Sequence, residues 1–136
     1  MTIVVDSNRI VAALLKDSTT RRILFNHRFE FIAPEFVKDE LEEHKREFIK
    51  KAGIGSKEFD ILLSLIFESV TLIPQDEYID YIDKLKSEIS DIKDIPYLAC
   101  CIAANSEGIW SHDPHMKEQK KVKVFTNIDL LKSIRS

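Results

Sequence analysis

The chain has 136 residues, of which 44% are hydrophobic and 32% charged, which excludes a disordered or collagen-like protein and is typical of a soluble globular one. Its 20 basic and 23 acidic residues give a net charge of −3, which excludes a protein that coats nucleic acid by positive charge alone. No apolar run approaches the roughly 20 residues that a membrane span requires.

The cysteines and the first residues indicate a compartment. Cys100 and Cys101 are adjacent, so they cannot link distant segments. The N-terminus shows neither a basic leader nor a small-residue cleavage site. We therefore expect a cytoplasmic protein without a membrane partner, folded as a single domain over residues 1–136.

Short β-branched segments alternate with longer helical patterns, which predicts an α/β protein with a parallel sheet. The first and fourth strands are apolar throughout, as central strands are, whereas the fifth alternates like an edge strand. A strand order of 3-2-1-4-5 would place the first and fourth strands side by side. In chain order, the sequence predicts a strand at 2–5, helices at 8–15 and 20–26, a strand at 29–33, helices at 34–51 and 56–67, a strand at 70–73, helices at 76–89 and 95–105, strands at 109–111 and 122–125, and a helix at 127–134.

Two acidic residues directly follow these central strands. Asp6 comes after the first strand, and Asp113 comes after the fourth. Ligands of open parallel sheets bind just beyond the carboxyl ends of the strands, where the strand order reverses. If the two strands are neighbours, Asp6 and Asp113 emerge side by side. The simpler interpretations are a helix cap for Asp6 and an ordinary Asp-Pro turn for Asp113.

Two further acids lie at helical positions. Glu40 falls between Phe36 and Val37 on the apolar stripe of its helix, where an unpartnered carboxylate is costly to bury. Its simpler interpretation is a half-exposed edge position. Asp94 precedes an almost wholly apolar helix, whose dipole favours an anion at that end, and helix capping is the alternative there.

The chemistry follows from bringing these four acids together. Two ionised carboxylates about 5 Å apart repel each other by roughly 3 kcal/mol at an effective dielectric constant of about 20. Four converging carboxylates therefore need either protons or a cation. Oxygen-only ligands select Mg²⁺ or Mn²⁺ over Zn²⁺ and leave water positions for phosphate oxygens. The pattern predicts metal-dependent hydrolysis of phosphodiesters.

The segments around the four acids carry a resemblance across nearly the whole chain. In their order, spacing and element types they resemble the PIN-domain nucleases, the family that includes the VapC-type toxins. The matching segments are Val4–Asn8, Val37–Leu41, Asp94–Ala99 and Trp110–Asp113.

The resemblance implies a three-layer α/β/α sandwich around a five-stranded parallel sheet, acting on single-stranded RNA. It implies a Mg²⁺- or Mn²⁺-dependent endoribonuclease, with a homodimer and a small antitoxin protein as expected partners. Asp91 has no firm counterpart in the family pattern. The catalytic and metal-binding residues implied are Asp6, Glu40, Asp94 and Asp113, with Asn8 and Ser111 in support.

An acidic cleft repels a polyanion, so we expect basic residues around its rim to hold the RNA, although such residues are also common on ordinary solvated surface. The candidates are Arg9, Lys45, Arg46, Lys117, Lys120 and Lys121.

Two other enzyme classes lack a required acid. A phosphoacceptor receiver domain needs an Asp closing the third strand, where residues 70–74 offer none. A haloacid-dehalogenase-type phosphatase needs an Asp two residues after Asp6, where Asn8 stands. The alternative that stays open is a PIN-fold protein with weak or no catalysis that binds RNA or serves as a scaffold.

Overall fold

The computed structural model describes residues 1–135. Its sheet has five parallel strands in the order β3-β2-β1-β4-β5, which confirms the predicted topology and the edge position of the fifth strand. The strands are β1 (Thr2–Val5), β2 (Glu30–Pro34), β3 (Val70–Ile73), β4 (Ile109–Trp110) and β5 (Val124–Phe125).

Helices connect the strands and flank the sheet, as in the three-layer arrangement expected. Within residues 1–135, none of the helices has the length and apolar character needed to cross a membrane. Short 3₁₀ turns at Gln75–Glu77 and Ile92–Asp94 precede α6 and α7. The helices are α1 (Ser7–Leu14), α2 (Ser18–Leu24), α3 (Phe36–Glu43), α4 (Lys45–Ala52), α5 (Ser56–Glu68), α6 (Ile79–Lys86), α7 (Ile95–Ala103), α8 (Pro114–Glu118) and α9 (Asn127–Arg135).

Three predicted elements were wrong in extent. The helix expected over 76–89 is shorter, because Gln75–Glu77 forms a 3₁₀ turn and α6 covers Ile79–Lys86. The helix expected over 34–51 is two helices, because the backbone leaves helical geometry at His44, with φ −108° and ψ 14°. Pro34 belongs to β2, where it lies opposite Ile73. The strand expected over 122–125 is shorter, because the Gln119 side chain hydrogen-bonds the backbone N–H and C=O of Val122. The short helix α8 was not predicted from the sequence.

The core fixes the end of β4 beside the end of β1. Trp110 is fully buried, and its ring stacks on Phe31 with centroids 5.1 Å apart. The Trp110 indole N–H donates to Asn127 Oδ1 at 2.8 Å. The backbone N–H of Asp6 donates to the Trp110 carbonyl at 3.0 Å. The residues that follow both central strands therefore meet at one end of the sheet, as the sequence predicted.

Gly108 allows the close approach of β4 to β5, and this gives a testable prediction. A Cβ atom at this position would lie 2.5 Å from the Lys123 carbonyl oxygen and 2.7 Å from the Phe125 ring. That carbonyl accepts the Ile109 N–H, so it cannot move away without breaking the strand pair. We expect Gly108→Ala to destabilise the protein by about 1–3 kcal/mol in denaturant unfolding.

Gly55 offers a matched control, because a Cβ there would meet nothing within 4 Å. We expect Gly55→Ala to change the free energy of unfolding by less than about 0.5–1 kcal/mol. Alanine lowers the entropy of the unfolded chain, which stabilises the protein, but it is a weaker N-cap for α5, and the two effects offset each other. Equal effects of the two substitutions would contradict the packing explanation for Gly108.

Candidate metal and active site

An open cleft of about 460 Å³ lies at the carboxyl ends of β1 and β4. All four acids singled out in the sequence line it, although they are distributed over most of the chain. The structure therefore brings the predicted set together at one place. The cleft is lined by Asp6, Ser7, Asn8, Arg9, Glu40, Asp91, Lys93, Asp94, Tyr97, His112 and Asp113.

Asp6 is 5% exposed and is held mainly through one of its two carboxylate oxygens. Oδ2 accepts from the Ser111 hydroxyl at 2.6 Å and from the Asn8 amide at 3.1 Å. Oδ1 receives a longer bond of 3.4 Å from the Ser7 hydroxyl. Burial raises the pKa of Asp6, and the hydrogen bond from Ser111 opposes that rise. The carboxylate is thus fixed in orientation, with Oδ1 less engaged than Oδ2.

Ser111 links two of the acids. It is fully buried, and its hydroxyl donates to Asp6 while accepting from the Asn8 amide at 3.1 Å and from the Asp113 backbone N–H at 3.0 Å. Both residues expected to support the acids therefore contact Asp6 directly. This geometry uses the full hydrogen-bonding capacity of the serine hydroxyl.

Glu40 has a partner that explains its position on an apolar stripe. The hydroxyl of Tyr97, a fully buried side chain, donates to Glu40 Oε1. Burial raises the pKa of Glu40, and the Tyr97 hydrogen bond opposes the rise. Tyr97 was not predicted from the sequence. Its spacing of three residues from Asp94 could have indicated it, because residues three apart on a helix share a face.

Asp94 stands at the centre of an acidic cluster that includes an unexpected member. One oxygen each from Asp91, Asp94 and Asp113 lie within 4.8 Å of one another. Asp94 is 6% exposed, and its pKa is raised to about 7, first by burial and then by repulsion from Asp113, Asp91 and Asp6. Asp91, which the family pattern left unassigned, is therefore part of the site.

The capping interpretations hold for some of these acids and not for others. Asp113 accepts the His115 N–H at 2.9 Å at the start of α8, and Asp91 accepts the Lys93 N–H at 3.0 Å. Asp6 and Asp94 form no side-chain cap on α1 or α7. Helix capping therefore does not explain the two most buried acids.

Few of the basic residues proposed from the sequence reach the cleft. Of the six, Arg9 lines it, together with Lys93, which the sequence analysis missed. Lys45 pairs with Asp60 at 2.8 Å, and Lys121 pairs with Glu88 at 2.5 Å. The other five candidates lie outside the cleft lining, so RNA binding by these residues stays a prediction. They are Lys45, Arg46, Lys117, Lys120 and Lys121.

A second cavity differs from the acidic cleft in the partners of its acidic residues. It measures about 490 Å³ and lies between α3 and α5, lined by Lys38, Glu42, Asp60 and Phe67 among others. There the acids lie beside cations, as in the Lys45–Asp60 ion pair. The acids of the cleft instead repel one another.

The donor set of the cleft fits a hard divalent cation. Its clustered ligands are carboxylate oxygens, which bind Mg²⁺ and Mn²⁺ in preference to softer metals. The one histidine of the lining, His112, accepts the Asn127 backbone N–H through Nε2 at 3.1 Å, so that nitrogen is already engaged. The burial and mutual repulsion of the carboxylates are the features that a bound cation offsets.

A comparison with protein families agrees with this geometry. A family model described as PIN domain matches residues 4–126. The matched range includes every acid that lines the cleft. It also includes all five strands, except for the first two residues of β1. A comparison with curated proteins finds no match. On the strength of the family match, the chain belongs to the PIN-domain family, whose members are generally nucleases.

Proposed function

We propose that the protein is a divalent-metal-dependent endoribonuclease that hydrolyses phosphodiester bonds of single-stranded RNA. The observation that carries the proposal is the cluster of Asp91, Asp94 and Asp113, whose oxygens lie within 4.8 Å of one another beside the buried Asp6. A group of like charges this close is stable at neutral pH only with protons or a cation, and a PIN domain favours the cation.

The residues that would hold Mg²⁺ or Mn²⁺ are Asp91, Asp94 and Asp113, together with Asp6 through its less engaged Oδ1. When bound, the ion polarises the scissile phosphate, acidifies a water molecule and stabilises charge on the leaving oxygen.

Glu40 is suited to orienting the attacking water. Tyr97 holds its Oε1, which leaves Oε2 to accept a hydrogen bond or a proton. Burial raises the pKa of Glu40 and so makes its carboxylate a better base at neutral pH. In-line attack by this water on phosphorus leaves a 5′-phosphate and a 3′-hydroxyl.

Lys93 is the cleft cation best placed to hold an RNA phosphate. It lines the cleft, is exposed, and forms no ion pair with another residue of the described range. The toxin role, the antitoxin, the homodimer and the cytoplasmic location stay predictions.

The first test is cleavage of a single-stranded RNA and of the matched DNA in Mn²⁺ and in EDTA. We expect RNA cleavage that the chelator abolishes, and a loss of about 100-fold or more in kcat for Asp94→Asn, because a metal ligand contributes at least as much as its supporting residues. Asp60→Asn is the matched control, since Asp60 is an acid paired with Lys45 outside the cleft.

Each outcome of this test has a meaning. RNA cleavage that survives both EDTA and Asp94→Asn would overturn the metal mechanism. Faster cleavage of the DNA than of the RNA would overturn the substrate class. Mn²⁺ binding without turnover on varied RNAs would favour the non-catalytic RNA-binding or scaffold protein.

The second prediction concerns stability of the metal-free protein. Folding raises the pKa of Asp94 from its ordinary 3.8 to about 7, so the folded state binds the proton more tightly than the unfolded chain. The stability that this proton contributes is present below about pH 4 and is lost as the pH rises to 7. In EDTA, we expect the ionisation of Asp94 to lower the free energy of unfolding by about 2 kcal/mol as the pH rises from 5 to 7.5. This value follows from roughly 1.4 kcal/mol for each pH unit below the folded pKa, reduced for solvent screening.

Thermal unfolding of the wild type and Asp94→Asn at both pH values measures this effect. The variant should be the more stable protein at pH 7.5, by several degrees in Tm, and this advantage should be smaller at pH 5, where the folded wild type still binds the proton. Adding Mn²⁺ at pH 7.5 should stabilise the wild type more than the variant. A variant less stable than the wild type in EDTA at pH 7.5 would contradict the repulsion described for Asp94.

The third prediction concerns Lys93. Lys93→Gln should raise KM for RNA several-fold and reduce the salt dependence of binding by about 0.7 in the slope of log K against log salt, the value for one phosphate contact on a single strand. Lys45→Gln is the control, because the Lys45 ammonium already pairs with Asp60. An equal or larger effect of Lys45→Gln would place the RNA along α4 instead.

A further inference from the structure

A chain of hydrogen bonds connects the acids to the C-terminal helix through Arg9. Arg9 Nε donates to Asn8 Oδ1 at 2.8 Å. Arg9 Nη1 lies 3.5 Å from both Thr20 Oγ1 and Asn127 Oδ1. Thr20 is fully buried, and Asn127 also accepts from the buried Trp110 indole. The Arg9 guanidinium therefore forms hydrogen bonds with residues of three helices, α1, α2 and α9.

This attachment fixes which end of the Asn8 carboxamide faces the acids. Asn8 Oδ1 accepts from Arg9 and, at 3.4 Å, from the His112 backbone N–H. Asn8 Nδ2 donates to Asp6 Oδ2 and to Ser111 Oγ, both at 3.1 Å. Exchanging the two ends would place the amide N–H groups against the guanidinium and the amide oxygen against the Asp6 carboxylate, which are two repulsive contacts.

The orientation of Asn8 in turn fixes Asp6. Two donors hold Asp6 Oδ2 at 2.6 and 3.1 Å, whereas Oδ1 receives a longer bond of 3.4 Å from the Ser7 hydroxyl. Groups that orient a ligand in this way contribute to metal affinity nearly as strongly as the ligands do. A guanidinium with three protein partners is also less free to follow a flexible substrate than the exposed Lys93 ammonium.

We propose that Arg9 is a positioning residue that acts through Asn8 to orient the Asp6 carboxylate for the divalent cation, and that it is not an RNA-binding residue. The inference rests on the proposed metal-dependent function and replaces the RNA-gripping role expected for Arg9 from the sequence.

Positioning and simple electrostatics predict opposite signs. Arg9 carries a positive charge close to the acids, so removing it should tighten cation binding if only Coulomb attraction matters. If Arg9 orients Asp6, removing it should weaken cation binding instead. Mn²⁺ affinity measured without RNA separates the two, and it does not depend on turnover.

The experiment is calorimetric titration of the metal-free full chain with Mn²⁺ at one pH and ionic strength. We expect Arg9→Gln to weaken Mn²⁺ binding about tenfold, within the range known for residues that orient metal ligands. Lys93→Gln, which removes the other cation of the cleft, should leave the affinity unchanged or tighter. Asn8→Ala combined with Arg9→Gln should bind no more weakly than Asn8→Ala alone, because the second change acts through the first.

Steady-state kinetics at saturating Mn²⁺ supply a second readout. Arg9→Gln should lower kcat and leave KM for RNA within about twofold of the wild type, since no uniform binding contact to RNA is lost. Arg9→Lys keeps the charge and a donor for Asn8 but cannot also reach Thr20 and Asn127, so its Mn²⁺ affinity should fall by about threefold, less than for the glutamine. This variant decides the question if Arg9→Gln does not fold, which circular dichroism will show.

Two failures can be told apart. A wild-type protein that binds no Mn²⁺ would overturn the proposed function. A wild type that binds Mn²⁺ and cleaves RNA, with an Arg9→Gln variant whose Mn²⁺ affinity is equal or tighter and whose KM is raised, would overturn the positioning role alone and return Arg9 to the RNA-binding residues.

Discussion

Repulsion between buried carboxylates is the constraint on which the site depends. Asp6 and Asp94 are 5% and 6% exposed, and both lie in the field of Asp113. Hydrogen bonds offset part of the cost for Asp6 and Glu40, whose pKa values are lowered by donors as well as raised by burial. For Asp94, the main causes of the pKa shift, which are burial and repulsion from the neighbouring acids, all raise the pKa. The uncompensated charge is therefore concentrated at Asp94, within reach of Asp91 and Asp113, where a divalent cation has the largest effect.

The sheet topology creates this concentration. Because β1 and β4 are parallel neighbours, the chain leaves both at the same end, and Asp6 and Ser111 follow directly. Two helices then contribute Glu40 from α3 and Asp94 from the start of α7, and α7 also supplies Tyr97. The place where the strand order reverses is the general ligand site of open α/β sheets, and this chain fills it with acids.

The sequence predicted the elements that depend on local patterns and missed those that depend on distant partners. Apolar runs identified β1 and β4, and hence the meeting of Asp6 with Asp113. Asp91 could not be assigned, because its approach to Asp94 depends on the 3₁₀ turn at Ile92–Asp94, a feature without a periodic signature. The basic residues at the rim of the cleft could not be predicted for a similar reason. Two of the proposed lysines form ion pairs with Asp60 and Glu88, which are remote from them in sequence. The late start of β5 likewise depends on one side chain, Gln119.

The core and Asp6 belong to one hydrogen-bonded network, which holds this carboxylate close to the other acids. Repelling groups on flexible supports would move apart and lower their energy, leaving no preformed place for a cation. Here Trp110 is packed in the core and donates to Asn127, which contacts Arg9, and Arg9 holds Asn8 against Asp6. Because buried networks are rigid when their polar groups are satisfied, the Asp6 carboxylate cannot move away from the other acids without breaking this network. Under the proposed function, a cation would find the Asp6 oxygen already in place, at the cost of a less stable metal-free protein.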